Sequence, residues 1–96
     1  MALARYNNRR DANEPIIFAF LRAQGMSVCP LDTPADALVG FKGRTYLVEI
    51  KDGPKKKLTP PQVKFSSTWR GCYTVLHSIE EAETWVKEIK LRKERA

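Results

Sequence analysis

The apolar residues of this chain switch from helical spacing to strand-like runs and back, and each switch marks an element. Ile16, Ile17, Phe20 and Leu21 recur at helical spacing until Gly25 stops them, and Pro15 suits a first turn beginning as late as Glu14. Residues 26–30 form a short apolar run of strand length, and residues 31–34 a turn. Residues 37–41 and 45–51 are two further apolar runs, joined by Lys42-Gly43-Arg44, a short glycine-containing hairpin connection. The second of these is apolar on both faces until its end, which predicts a strand covered on both sides. After a basic loop over 52–58, Thr59 caps a helix that Pro60 and Pro61 can open, running to about residue 70. Gly71 turns the chain into a strand over 72–77. Ser78 with Glu81 reads as a capping box for a last helix carrying Ala82, Trp85, Val86 and Ile89, within residues 78–96. Residues 1–8 are polar and expected to stay loosely ordered until a partner holds them. The elements predict one α/β domain over residues 1–96: a small four-stranded mixed sheet flanked by helices, in the order αβββαβα. Its strand–helix–strand unit between Tyr46 and Leu76 is expected to be a right-handed parallel crossover.

The central hairpin carries the chemistry. An antiparallel hairpin sets the start of its first strand beside the end of its second, which brings Asp36 near Glu49 and Lys51. Side chains alternate along a strand, so Glu49 and Lys51 share a face while Ile50 points to the other. Two carboxylates and an ammonium at a sheet rim contribute little as packing. They suit a magnesium site, because magnesium prefers hard oxygen donors, keeps several waters and recruits phosphate oxygens. A divalent cation also relieves the repulsion between two carboxylates. It makes a water more acidic and steadies charge on a phosphate, while Lys51 would orient or help deprotonate the attacking water. The plainer alternative is an exposed strand end whose Glu and Lys are merely solvated.

At 96 residues, 17 Lys+Arg stand against 11 Asp+Glu, a formal charge of +6 that suits a nucleic-acid partner. The basic residues cluster at Arg9 and Arg10, at Lys42 and Arg44, at Lys55, Lys56 and Lys57, and at Lys64 with Arg70. They are the expected phosphate contacts. The basic tail after Lys87 is mixed with Glu88 and Glu94, as on a solvated helix face. Cys29 and Cys72 read as free buried thiols, and no second Cys or His lies at zinc-binding spacing. His77 stands without a Ser or Cys partner for catalysis. Trp69 and Trp85 read as core or interface groups, with base stacking by Trp69 an alternative. There is no signal peptide and no apolar segment of membrane length, so the expectation is an intracellular, cytoplasmic protein with no membrane partner.

Asp36 followed by Glu49-Ile50-Lys51 resembles the PD-(D/E)XK nuclease signature. Pro34-Ala35-Asp36 stands where that family usually has a Pro-Asp dipeptide, with Ala35 inserted. Within the superfamily the chain looks most like the small stand-alone VRR-NUC and Holliday-junction-resolvase-like nucleases, many of them phage-encoded. The resemblance covers roughly residues 9–77 and rests on context more than on the short motif. It implies that Asp36, Glu49 and the Ile50 carbonyl hold magnesium, with manganese able to replace it, and that no small-molecule cofactor is needed. It also implies that Glu14 on the first helix joins the metal site; Asp11-x-x-Glu14 reads equally as a capping box. Gln62 matches a polar residue that the family often sets beside the catalytic strand, and otherwise reads as an exposed helical Gln. The implied activity is structure-selective endonucleolytic hydrolysis of duplex or branched DNA, with branched or junction DNA the favoured substrate, leaving a 5′-phosphate, by a symmetric homodimer. Two other readings stand beside it: a non-catalytic DNA-binding module on the same fold, and a nuclease that targets RNA or works only within a larger recombination complex.

Overall fold

A tight hairpin organises the sheet. The computed structural model describes residues 12–92. The expectations for residues 1–8, Arg9, Arg10, Asp11 and the end of the tail lie outside the described residues. In chain order the elements are α1 (Asn13–Ala23), β1 (Ser27–Pro30), β2 (Ala37–Phe41), β3 (Arg44–Ile50), α2 (Pro60–Thr68), β4 (Cys72–Leu76) and α3 (Ile79–Leu91). The sheet runs β1-β2-β3-β4, with β1/β2 and β2/β3 antiparallel and β3/β4 parallel. The fold is α/β with a four-stranded mixed sheet in the order αβββαβα, as the hydrophobic pattern predicts.

The β2–β3 connection is tighter than Lys42-Gly43-Arg44. Phe41 pairs with Arg44, so only Lys42 and Gly43 form the turn, with φ of 52° and 80°. Two successive positive φ values belong to a type I′ turn, whose twist matches that of the flanking strands. Glycine takes this conformation freely, whereas lysine is strained in it.

Alternation along β3 divides the sheet into two unequal faces. Tyr46, Val48 and Ile50 point into the core shared with Ile17, Phe18 and Leu21 of α1 and Trp85, Val86 and Ile89 of α3. Tyr46 and Trp85 meet edge to face with centroids 5.3 Å apart, a geometry that adds to plain area burial. On the other face stand Leu47, Glu49 and Tyr73, and α2 crosses them without burying any of its own residues. Phe65 of α2 contacts Tyr73 edge-on at 5.6 Å and stacks on Trp69 at 5.3 Å. This second layer is thin, so Cys29 on the edge strand β1 is exposed and not buried as expected. Cys72, opposite Tyr46 on the core face, packs against the core but is only half-buried.

Helix ends follow local chemistry, with two differences from expectation. The buried face of α1 is Glu14, Ile17, Phe18 and Leu21, while Ile16 is 60% exposed. The i, i+3, i+4, i+7 stripe begins at an acid, which hides its phase from hydropathy alone. At α3 the Ser78 hydroxyl accepts from Glu81 N–H at 3.1 Å, but the Glu81 carboxylate accepts from His77 N–H at 2.8 Å instead of closing the box. That backbone bond, with lesser help from the His77 ring, holds the Glu81 carboxyl below the usual range. By contrast α2 has a complete capping box between Thr59 and Gln62. Among the described residues no helix is long and apolar enough to cross a membrane.

Replacing Lys42 by Asn relieves the left-handed strain at the turn and should raise stability by about 0.5 kcal/mol, read as a higher urea midpoint at unchanged slope.

Candidate active site

Asp36 is fixed before its side chain does anything. Its N–H donates to the Val48 carbonyl at 3.0 Å and its carbonyl accepts from Leu31 N–H at 2.8 Å, so the 31–36 turn and β3 both hold it. From there the carboxylate reaches across the hairpin, and Oδ2 accepts from the Ile50 N–H at 2.7 Å. That bond lies at the end of β3, where Glu49 and Lys51 project to the face crossed by α2.

Glu49 is only 5% exposed. Its Oε2 accepts from the Gln62 amide at 2.9 Å and lies 3.8 Å from Lys51 Nζ. Lys51 Nζ in turn donates to Gln62 Oε1 at 2.7 Å. The same oxygen accepts from Thr59 N–H at 2.9 Å as half of the α2 cap. One Gln therefore caps the helix, holds the carboxylate and holds the ammonium. Charge-assisted hydrogen bonds of this kind offset the cost of taking both charges out of water.

A second brace comes from α1. Asn13 Nδ2 donates to the carbonyls of Lys51 and His77, at 3.0 and 2.9 Å, and stitches the ends of β3 and β4 together. Glu14, the next residue, is 5% exposed on the sheet-facing side of α1. It is not among the residues lining the cleft that holds Asp36 and Glu49.

That cleft has a volume of about 380 Å³ and is lined by Asp32, Thr33, Pro34, Asp36, Glu49, Thr59, Pro61, Gln62 and Phe65. Among the described residues no group of three or more His, Cys, Asp or Glu is disposed to hold a metal ion. Asp36 and Glu49 both line the cleft, and two hard carboxylates are donors suited to a cation that fills the rest of its shell with water and substrate oxygens. Magnesium is such an ion, and the two hard carboxylates on one cleft wall fit it.

Tyr73 lies behind Glu49, one strand over. Burial, then Glu49, then Asp36 push its phenol up to about 12.

The basic residues divide by distance. Lys55, Lys56 and Lys57 are exposed in the loop that follows Lys51, close to the cleft in sequence. Lys64 is exposed on α2 two positions beyond Gln62, so it does not share that residue's side of the helix. Lys42 and Arg44 sit at the opposite end of the hairpin, roughly 17 Å from Glu49 along β3. Trp69 is 45% exposed, yet its ring folds over Gly71, where a Cβ would come within 2.8 Å of Nε1.

The sequence pattern points to Asp36, Glu49, Lys51 and Gln62, and the structure brings these four together. It leaves out three neighbours. Asp32 lines the same cleft and reads as a turn residue; Asn13 looks like a helix-start cap and instead reaches across to two strands. Tyr73 shares the Glu49 face by β4 alternation, a signal that needs the β3/β4 register to interpret. The chain matches no family model, no curated protein and no solved structure.

Gln62→Ala should cost about 1–3 kcal/mol in urea denaturation, because it strands the buried Glu49 and the half-buried Lys51 and removes half of a cap. Tyr73 also makes stability depend on pH in alkali. The folded chain keeps its phenolic proton to about 12 and the unfolded chain only to about 10, so the contribution is intact below pH 10 and lost as pH rises to 12. Tyr73→Phe should make the fall in stability over that window shallower than in the wild type.

Proposed function

We propose that this protein is a magnesium-dependent endonuclease of the PD-(D/E)XK type that hydrolyses DNA phosphodiester bonds. The observation that carries the reading is the meeting of Asp36 and Glu49 on one wall of an open cleft, with the Lys51 ammonium 3.8 Å from Glu49. Nothing in the core requires charges there. Asp36 and Glu49 would hold the ion, with the Ile50 carbonyl and Glu14 the further ligands that the family resemblance suggests. The ion would supply Lewis acidity toward the phosphate and a more acidic water at neutral pH.

The chain's own groups divide the remaining work. Lys51 offsets charge on the phosphate in the transition state and orients the attacking water. Gln62 fixes where Lys51 stands, through the 2.7 Å bond to its ammonium, and keeps Glu49 turned to the same spot. Asn13 keeps the end of β3 from fraying under both. Lys55, Lys56 and Lys57 grip the backbone beside the scissile phosphate, and Arg9 and Arg10 extend that grip, while Lys64, on another side of α2, meets phosphates farther from the cut. Lys42 and Arg44 reach the same duplex only about five base-pair steps away, given roughly 17 Å along β3 and 3.4 Å per step. The family resemblance suggests branched or junction DNA as the favoured substrate, and a symmetric homodimer would present two cuts to two strands. The compartment that fits this substrate is the cytoplasm of a cell or of a phage-infected host.

One observation favours a second reading. Gln62 and Lys51 tie Glu49 into a hydrogen-bonded polar network that would serve equally as scaffolding in a DNA-binding module that does not cut. The two readings separate on end-labelled four-way-junction, flap and linear duplex DNA. The nuclease cuts with magnesium or manganese and not with EDTA. Asp36→Asn loses the cut by about a hundred- to a thousandfold while still binding, and Lys51→Met loses about 10²–10⁴. Tight binding with no cleavage under either metal, unchanged by Asp36→Ala, supports the binding module instead.

A further inference from the structure

The hydroxyl of Tyr73 is shut away from solvent and has no hydrogen-bond partner among the described residues. Buried phenols almost always find a partner, and leaving one unmade costs about 1–3 kcal/mol. Core packing does not demand the oxygen here, since the ring contact with Phe65 would be the same for phenylalanine. The hydroxyl therefore calls for a second state of the site in which it is used.

Its surroundings say what that state is. Tyr73 is opposite Leu47 in the parallel β3/β4 register, on the same face of the sheet as Glu49. Side chains on strands lean along the strand direction, and Tyr73 stands two residues before Val75, which is the partner of Glu49. The Phe65 ring that closes over Tyr73 is itself part of the cleft wall beside Asp36 and Glu49. At neutral pH a phenol donates, and a carboxylate accepts at up to four lone-pair positions. Gln62 and Lys51 approach Glu49 at one oxygen, Oε2, from the α2 side. Carboxylates that ligate a cation are in turn held by hydrogen bonds from outside the coordination shell.

We propose that Tyr73 is a positioning residue for the metal site, donating its hydroxyl to the Glu49 carboxylate when a divalent cation is held between Glu49 and Asp36. The inference rests on the nuclease reading of the cleft and adds a residue that its signature does not contain. Glu49 exchanges part of its tie to Gln62 and Lys51 for the cation, and Tyr73 holds it from the sheet side. The metal-free protein keeps the donor idle.

Manganese titration calorimetry on the full chain tests this without reading activity. Tyr73→Phe should bind manganese about tenfold or more weakly than the wild type. In EDTA its melting temperature should equal or exceed the wild type's, since deleting an unsatisfied buried hydroxyl removes a cost. The magnesium concentration that gives half-maximal cleavage should rise in parallel. Equal manganese affinity in the two proteins, with the wild type binding normally, overturns the role of Tyr73 and leaves the metal site standing. A Tyr73→Phe chain that melts lower in EDTA also overturns it, because the hydroxyl is then bonded in the metal-free fold. A wild type that binds no manganese removes both the metal site and the inference built on it.

Discussion

A carboxylate taken out of water at the end of a β-strand must find donors there, and Glu49 sets that demand for the whole second layer of this protein. The effective penalty for burying such an ion is several kcal/mol, far more than one neutral hydrogen bond returns. The chain answers with a charged donor and an amide delivered from two directions. Lys51 comes from just past the end of the same strand, two residues on, and Gln62 comes from α2. Because Gln62 is also the N3 residue of the Thr59 capping box, the helix cannot start elsewhere without uncovering Glu49. The placement of α2 thus owes as much to this polar cross-link as to hydrophobic burial. None of its own residues is buried, and its apolar hold on the sheet is mainly the Phe65 contact with Tyr73.

The opposite face is built in the ordinary way. Tyr46, Val48 and Ile50 alternate with the site-facing residues and lock β3 between α1 and α3, with Trp85 against Tyr46. One seven-residue strand therefore carries both the strongest packing and the least favourable burial, on its two sides. The division has a mechanical use. A rigid apolar face keeps the strand end still while the polar face holds its charges beside an open cleft, the arrangement that the proposed nuclease chemistry would require.

Much of this was legible in the chain. Alternation and turn chemistry outline every described element, and the antiparallel hairpin alone brings Asp36 to Glu49. The errors have physical causes. The phase of α1 was obscured because its buried stripe starts with Glu14, and Cys29 was expected inside because an apolar run does not reveal that α2 leaves the β1 edge uncovered. Lys42 and Arg44 lie near Asp36 in sequence and far from Glu49 in space, since the hairpin that joins its two ends separates its turn from both. Asn13 and Tyr73 act across elements far apart in the chain, and no local pattern encodes such contacts.

The central claim is that Asp36 and Glu49 form a cation site and not a closed structural network. Crystals grown in manganese and measured for anomalous scattering test it most directly. The account predicts a single strong peak in the cleft, roughly 2.1 Å from an oxygen of each carboxylate, with waters completing the shell. Density showing Glu49 still bound to Gln62 and Lys51, with no anomalous peak beside Asp36, would contradict it.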